Sequence, residues 1–194
     1  MMEFIIGVDE AGRGPLAGPV SVGVVAIPPG FDVLKEFPLV RDSKLLSRQK
    51  RELIFTEVER RASRGDLRFI VRFSDHQYID RFGITRAVRV ALHSGVRALA
   101  PAAHSTVLLD GLLRAPEGYT QRTVIDGDAR VPLISLASIL AKVTRDRTME
   151  HLSMLYPDYG FEQHMGYGTQ DHRRAIRRHG LCNIHRRSFC GSVN

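Results

Sequence analysis

Residues 4–19 limit the possible folds more than any other stretch of the chain. A short apolar run leads there straight into two acids, Asp9 and Glu10, and then into a turn of glycines and prolines. Such a run, rich in β-branched residues and ended by glycine, is typical of a buried strand. Two glycines flank Arg13, so the backbone can adopt left-handed angles and approach a ligand while one guanidinium is held at the apex. The sequence therefore predicts a buried strand that delivers two carboxylates to a ligand-binding turn.

The acid pair Asp9–Glu10 has two interpretations. Neighbouring side chains of a strand point to opposite faces, so the two carboxyl groups can share one site only at the strand end. There Glu10 either swings round or offers its backbone carbonyl while Asp9 offers its side chain. An isolated pair of acids is usually a solvated strand end. Between a buried strand and this turn, the pair instead favours a metal site or an acid–base site, because hard cations prefer oxygen ligands.

The remaining pattern predicts an α/β fold with a mixed sheet. Residues 20–27 form a second apolar strand, which we expect to pair with the first as a hairpin. We expect a loop at 31–40, followed by a helix that is capped by Ser47 and ends near Ser63. The later expected elements are a strand at 67–73, a helix over 75–99 broken at Gly83, strands at 106–109 and 123–125, a helix at 134–155, and a basic helix after the glycine-rich turn at 166–169. Antiparallel strands followed by strands that alternate with helices indicate helices on both faces of the sheet.

Length and charge indicate the class of protein. The 194 residues, 43% of them hydrophobic, favour one compact domain. The net charge is +7, and residues 169–194 hold six arginines against one acid, or +5 of it. This asymmetry favours a polyanionic partner for the C-terminal part. Two cysteines do not make a disulfide framework, and no apolar run approaches the ~18 residues of a membrane helix, so we expect a reducing, cytoplasmic location.

Acids follow three of the predicted strands. They are Asp9 with Glu10, then Asp110, then Asp126 or Asp128. Ligand sites of open sheets form at strand ends, so these acids can converge in the fold. Carboxylates gathered without a cation would raise one another's pKa, and magnesium or manganese suits an all-oxygen site better than zinc. With the excess of arginine, the acids indicate metal-dependent chemistry on phosphodiesters.

Seven segments of the chain resemble the bacterial ribonuclease HII family, in that family's order and over nearly the whole length. They are residues 7–20 (GVDEAGRGPLAGPV), 42–47 (DSKLLS), 78–84 (YIDRFGI), 109–111 (LDG), 138–147 (SILAKVTRDR), 166–169 (GYGT) and 185–189 (HRRSF). The resemblance implies a ribonuclease H-like mixed sheet flanked by helices, with a C-terminal helical extension. We expect a catalytic domain over residues 1–160 and a basic helical segment over 161–194 that packs on it.

The resemblance also implies an activity. The expected reaction is hydrolysis of the RNA strand of RNA/DNA hybrids and nicking 5′ of single ribonucleotides in duplex DNA, with two divalent ions, magnesium or manganese, and with 3′-hydroxyl and 5′-phosphate ends. The expected partners are these duplexes, without a membrane, and the chain is expected to act as a monomer. The family's catalytic, metal-binding acids map by motif position onto Asp9, Glu10, Asp110 and Asp128. Its contacts to the ribonucleotide map onto Gly12, Arg13, Gly14 and Tyr167.

Other residues carry further expectations. Ser43 and Lys44 precede a helix, and we prefer a phosphate contact for them over a surface ion pair of Lys44 with Asp42. Lys142 and Arg145 share a helix face that favours a contact to nucleic acid only slightly over solvation, and Asp146 is expected to pair with an arginine.

Two positions depart from the family, which usually has lysine where this chain has Asp126 and often has lysine where it has Met165. Neither touches the expected metal ligands. Asp126 either raises the demand for metal or faces water, and we expect it to face water.

Two other classes of function are alternatives. A non-catalytic nucleic-acid-binding module would use the arginines and leave the acids structural. A nucleotide-phosphate enzyme fails on pattern, because the turn after Gly12 lacks the lysine and the serine or threonine of a P-loop.

Overall fold

The computed structural model describes residues 3–191, apart from the side chains of residues 41–44. Its centre is a five-stranded sheet. The strands are β1 (Phe4–Ala11), β2 (Val20–Ile27), β3 (Arg68–Ser74), β4 (Ser105–Asp110) and β5 (Thr120–Val124). Their order is β3-β2-β1-β4-β5, with β1, β2 and β3 antiparallel and with β4 and β5 parallel to β1. The predicted mixed sheet and its first hairpin are therefore confirmed.

Helices cover the sheet and continue beyond it. Within the described residues they are α1 (Val33–Glu36), α2 (Arg48–Ser63), α3 (His76–Phe82), α4 (Ile84–Leu99), α5 (Gly127–Arg130), α6 (Pro132–Leu155), α7 (Phe161–His164) and α8 (Gln170–His179). Short 3-10 segments cover Pro38–Leu45, Ala102–His104, Pro157–Tyr159 and Arg187–Phe189. None of the described helices is long and apolar enough to span a membrane.

Local signals account for most helix ends. The Oγ atom of Ser47 accepts the N–H of Lys50 at 3.3 Å, so the predicted cap of α2 is confirmed. The predicted break at Gly83 separates α3 from α4, and its φ of +81° is one that glycine adopts at little cost. The predicted loop at 31–40 was wrong, because helix α1 lies within it. Asp32 caps α1, and the side chain of Val33 in this helix packs in a core cluster together with the flanking Phe37.

Three hydrophobic clusters hold the elements together. One lies between the sheet and α4, and a second lies between the opposite face and helices α2 and α6. The third joins Leu16, Ala17 and Met149 to C-terminal residues such as Phe161 and Ile176. Both faces of the central strands are therefore covered, which explains why every residue of β2 is buried.

Two glycines let α6 pass close to the sheet. A Cβ atom at Gly7 would lie 2.5 Å from the carbonyl oxygen of Leu133, and one at Gly23 would lie 2.2 Å from that of Ala137. A larger residue at either position would push the helix outward. The close approach matters for the site, because Ser138 follows directly on this helix.

Candidate active site

The first two acids lie where the ladder between β1 and β4 stops. Parallel pairing of these strands ends at Val8 and Leu109, whereas β1 continues beside β2 to Ala11. Asp9 and Glu10 thus lie past the last pair with β4 but still inside β1, two residues and one residue before its end at Ala11, whereas we expected them at the strand end. Asp110 is the last residue of β4. The end of this ladder is therefore the point at which the acids meet.

Asp9 points toward α6 and is buried, with 6% of its surface exposed. Its Oδ1 atom accepts the N–H of Glu10 at 2.8 Å, and the carboxyl group also hydrogen bonds to the side chain of Ser138. Burial raises the pKa of Asp9 to about 8, and the charges of Glu10 and Asp110 act in the same direction. A buried acid with such a pKa is typical of a functional site.

Glu10 points to the opposite face of the sheet, toward α4. Arg13 donates from Nη1 to its Oε1 atom at 3.1 Å. Burial nevertheless raises the pKa of Glu10, and Asp110 adds to that effect while Arg13 opposes it. The other oxygen, Oε2, is buried and has no hydrogen-bond partner among the described residues. An unpartnered buried carboxylate oxygen is costly, so it calls for a cation or a donor.

Asp110 connects the pair to the fourth expected acid. Its Oδ1 atom accepts the N–H of Gly127 at 2.6 Å, and Asp128 is the next residue along α5. The carbonyl of Asp128 accepts the hydroxyl of Ser135, which fixes α5 against the start of α6. Asp128 thus follows directly after Gly127, the residue whose N–H binds Asp110. The charge of Asp110 raises the pKa of both Asp9 and Glu10, so Asp110 is a neighbour of both acids.

The acids fit a divalent cation. Among the side chains that the structure describes, no three from Asp, Glu, His or Cys form a ready cluster for a metal ion. The lack of a ready cluster is consistent with the side chains of Asp9 and Glu10 pointing to opposite faces of β1. The raised pKa values and the unpartnered Oε2 atom are nevertheless the features that bound magnesium or manganese would relieve.

The glycine turn presents an exposed apex. Gly12 has a φ of +91°, and a Cβ atom there would lie 2.0 Å from Nε of the buried Arg145. A Cβ atom at Gly14 would meet nothing within 4 Å among the described residues. The side chain of Arg13 is 46% exposed. The first glycine is therefore required by the fold, whereas the second leaves open space at the apex of the turn.

Tyr167 is 43% exposed, as its flanking glycines predicted. The guanidinium carbon of Arg145 lies 5.8 Å from the centre of its ring. Asp126 is exposed, in agreement with our expectation that it faces water. The side chains of Ser43 and Lys44 lie outside the described residues, so the structure gives no position for the expected phosphate contact.

A cleft of about 510 Å³ opens beside the acids on the α4 side. Glu10 and Asp110 line one wall, while Val88 and Leu92 provide an apolar floor. Arg13, Arg89 and Arg114 are also among the lining residues. Glu10 and Asp110 are thus accessible from a cleft that also carries three arginines, as a site for a polyanion requires.

Two expectations for α6 were wrong. Arg145 is only 1% exposed and donates to backbone carbonyls, so it cannot contact nucleic acid at the surface. Asp146 pairs with Lys142 at 2.8 Å and, among the described side chains, with no arginine. Helical spacing placed these residues on the right element, but spacing alone does not reveal which charged side chain is buried.

Sequence reasoning also missed residues that shape the site. Ser138 and Gly127 bind the acids, and Arg145 and Arg186 are buried behind the glycine turn. Ser138 and both arginines lie in segments that resemble the family, which was the available signal. For Gly127 the signal was the Asp-Gly-Asp sequence that follows β5.

Comparisons with known proteins identify the family and the fold. The family model described as Ribonuclease HII matches residues 6–192. A ribonuclease HII of Bacillus cereus (strain Q1) is 43% identical over 97% of this chain and 69% of its own length. The ribonuclease H2 of Pyrococcus horikoshii OT3 superposes with a TM-score of 0.73 at 27% identity, covering 95% of this chain and 93% of that one. Bst-RNase HIII, solved in complex with Mn²⁺, has a TM-score of 0.64 at 20% identity, covers 92% of this chain and 63% of that one, and shares the fold.

Proposed function

The chain belongs to the ribonuclease HII family, and from that premise we propose that it nicks duplex DNA on the 5′ side of single embedded ribonucleotides as well as cleaving longer hybrids. Membership makes the chain an endonuclease of the ribonuclease H type, a hydrolase that cleaves RNA in RNA/DNA hybrids. The observation that carries the proposal is that the charge of Asp110 acts on both Asp9 and Glu10, next to a glycine turn whose Arg13 donates to Glu10.

Enzymes of this family use divalent metals, and we propose that Asp9, Glu10, Asp110 and Asp128 hold two of them, magnesium or manganese. When bound, two such ions would activate the attacking water and stabilise the leaving 3′ oxygen, giving 3′-hydroxyl and 5′-phosphate ends. The chain orients the ligands through its own contacts. Ser138 holds the carboxyl group of Asp9, and the N–H of Gly127 holds that of Asp110.

The substrate contacts proposed for the turn are those that would distinguish a ribonucleotide from a deoxyribonucleotide. The 2′-hydroxyl is the group that distinguishes the two sugars at one position. The space around Gly14 would let backbone groups of Gly12, Arg13 and Gly14 reach that hydroxyl, where a side chain would intrude. Tyr167 is exposed and would pack on the sugar at the RNA–DNA junction. Ser43 and Lys44 are proposed to bind a phosphate.

The C-terminal part supports a role in duplex binding. We propose a catalytic domain over residues 1–160 with a basic segment over 161–194 that packs on it and contacts phosphates. Helix α8 carries the arginines at 173, 174, 177 and 178, and its neutral face packs in the third hydrophobic cluster through Ile176. Such contacts would supply sequence-independent affinity that falls with salt. We further propose that the protein acts as a monomer in the cytoplasm.

The variant Asp110→Asn separates a nuclease from a binding module. A nuclease should lose cleavage of a hybrid duplex by at least about 100-fold, since a ligand charge is removed, while its affinity for the duplex changes little. Asp126→Asn, at an exposed acid that we do not propose as a ligand, is the matched control and should keep both properties. Equal cleavage by wild type and Asp110→Asn would reject the proposed site.

A further inference from the structure

Two arginines are buried behind the glycine turn. Arg145 is 1% exposed and Arg186 is 0% exposed, which is rare for arginine. Burial lowers the pKa of Arg186 to about 9, and the charge of Arg145 acts in the same direction. Two buried cations so close together are costly, so the contacts they make must offset that cost.

Both guanidinium groups donate to backbone carbonyls. Arg186 donates from Nη2 to Gly12 at 2.7 Å, from Nη1 to Arg13 at 2.9 Å and from Nε to Gly18 at 2.9 Å. One planar fork thus holds both ends of the turn. A lysine at this position could not reproduce the arrangement, because its three donors radiate from a single atom.

These contacts determine where the N–H groups of the turn point. In a planar trans peptide, the C=O of one residue and the N–H of the next point in opposite directions, and no cis peptide bond occurs in the described residues. The carbonyls of Gly12 and Arg13 point inward to Arg186, so the N–H groups of Arg13 and Gly14 point outward. Both residues are exposed, and the side chain of Arg13 donates to Glu10.

Arg145 connects the same turn to Tyr167. It donates from Nη2 to Ala17 at 3.3 Å, from Nε to Pro19 at 2.9 Å and from Nη1 to Met165 at 3.0 Å. Its guanidinium also lies near the ring of Tyr167. The N–H of Leu16 donates to the carbonyl of Gly166 at 2.8 Å. The turn and the tyrosine are therefore held as one unit.

We propose that Arg186 is a positioning residue for ribonucleotide discrimination, because it holds the Arg13 and Gly14 N–H groups toward the bound sugar. This rests on the proposed function, in which the turn contacts the 2′-hydroxyl. Arg186 does not touch the substrate itself. Arg145 fixes the distance between these donors and Tyr167.

The test uses the full-length protein and the variant Arg186→Lys, which keeps the charge and loses the fork. The readout is the ratio of dissociation constants for an all-DNA duplex and for the same duplex with one ribonucleotide, measured in chelator so that no cleavage occurs. We expect wild type to bind the duplex with the ribonucleotide more tightly. In Arg186→Lys the ratio of the two dissociation constants should fall about tenfold, which corresponds to one to two hydrogen bonds. Affinity for the all-DNA duplex should not change.

The control is Arg64→Lys, the same substitution at an exposed arginine at the end of α2, outside the residues proposed to bind the duplex, and it should keep the preference. A preference retained by Arg186→Lys would overturn the inference. Absence of any preference in wild type, together with ribonucleotide-independent cleavage, would overturn the proposed 2′-hydroxyl contact and the inference with it. Absence of cleavage on every duplex would reject the proposed function.

A second measurement covers the case in which Arg186→Lys does not fold. In ¹⁵N-labelled wild type, the amide resonances of Arg13 and Gly14 should shift when the ribonucleotide-containing duplex is added and shift less with the all-DNA duplex. Equal shifts with both duplexes would show that these N–H groups do not face the 2′-hydroxyl, and the inference would fail.

Discussion

Replacing Asp9 with asparagine should stabilise the protein in chelator while it abolishes cleavage. Asp9 is buried, and its pKa is raised from 3.8 to about 8 by burial and by the two neighbouring acids. Asparagine has nearly the same shape and stays neutral at every pH. The variant therefore removes the cost of an acid that the fold holds in an unfavourable environment.

The size of the effect follows from the pKa. A tenfold change in the proton affinity of a group corresponds to about 1.4 kcal/mol, so at pH 7 the buried acid costs at most about 4 kcal/mol, and at pH 5 about 2 kcal/mol. Asparagine weakens the hydrogen bonds from Ser138 and from the Glu10 N–H, which offsets roughly 1 kcal/mol. We expect a gain of about 2–3 kcal/mol at pH 7 and less than about 1 kcal/mol at pH 5.

The raised pKa of Asp9 determines the sign of the pH dependence of stability. Between pH 4 and 8 the folded state binds more protons at Asp9 than the unfolded state, so the contribution of this group to stability falls as pH rises. The difference between Asp9→Asn and wild type should therefore grow with pH across that window. Magnesium should raise the melting temperature of wild type more than that of the variant.

Thermal unfolding in chelator at pH 5, 6 and 7 measures this difference, and a gain of 2–3 kcal/mol corresponds to roughly 4–12 °C for a domain of this size. Asp126→Asn is the control for removing one exposed acid and should change stability by less than about 0.5 kcal/mol. A wild type as stable as Asp9→Asn at pH 7, or a difference that does not vary with pH, would refute the assignment of Asp9 as a strained, metal-demanding acid.

Two further predictions concern the turn and the C-terminal segment. Gly12→Ala should destabilise the protein by roughly 2–5 kcal/mol in urea unfolding, because φ is +91° and the new Cβ atom would meet a buried guanidinium. Gly14→Ala is the control and should cost less than about 1 kcal/mol. Equal costs for the two variants would contradict the packing described. The Nε2 atoms of His172 and His185 lie 3.1 Å apart, and burial lowers the pKa of each to about 4. Their contribution to stability should therefore be lost as pH falls from about 6.5 to about 4, by about 2 kcal/mol per histidine at pH 5. Urea midpoints of Asp9→Asn, in which the opposing titration of that acid is absent, should fall between pH 7 and pH 5, and a flat profile would show that the pair is not held neutral.

Local patterns were sufficient to predict much of the fold. Alternation, turn residues and caps predicted the first hairpin, the cap at Ser47 and the break at Gly83, because these features depend on neighbours in the sequence. The placement of Asp110 near the β1 acids could likewise be expected, since parallel strands bring their ends to one edge, although Asp9 and Glu10 lie inside β1 and not after it. Helix α1 was missed, because so short a helix is stabilised mainly by the core it packs on.

The supports of the site were harder to predict. Charged side chains are usually solvated, so nothing in the pattern distinguished the buried Arg145 and Arg186 from the exposed arginines of α8. Their partners are backbone carbonyls of the turn, which carry no residue-specific signal. In the sequence, Ser138 does not differ from the other small residues of its helix. Its contact with Asp9 depends on the close packing of α6 on the sheet at Gly7 and Gly23, which the sequence pattern does not reveal.

Mapping the cut in one end-labelled duplex tests the proposed function. The duplex is DNA with a single ribonucleotide, incubated with magnesium, with manganese and with chelator, and both new ends are identified. We predict a metal-dependent nick on the 5′ side of the ribonucleotide that leaves 3′-hydroxyl and 5′-phosphate ends. A cyclic phosphate at the cut would contradict the metal-dependent hydrolysis proposed for the acids, and a bound but uncut duplex in both metals would favour a binding module instead.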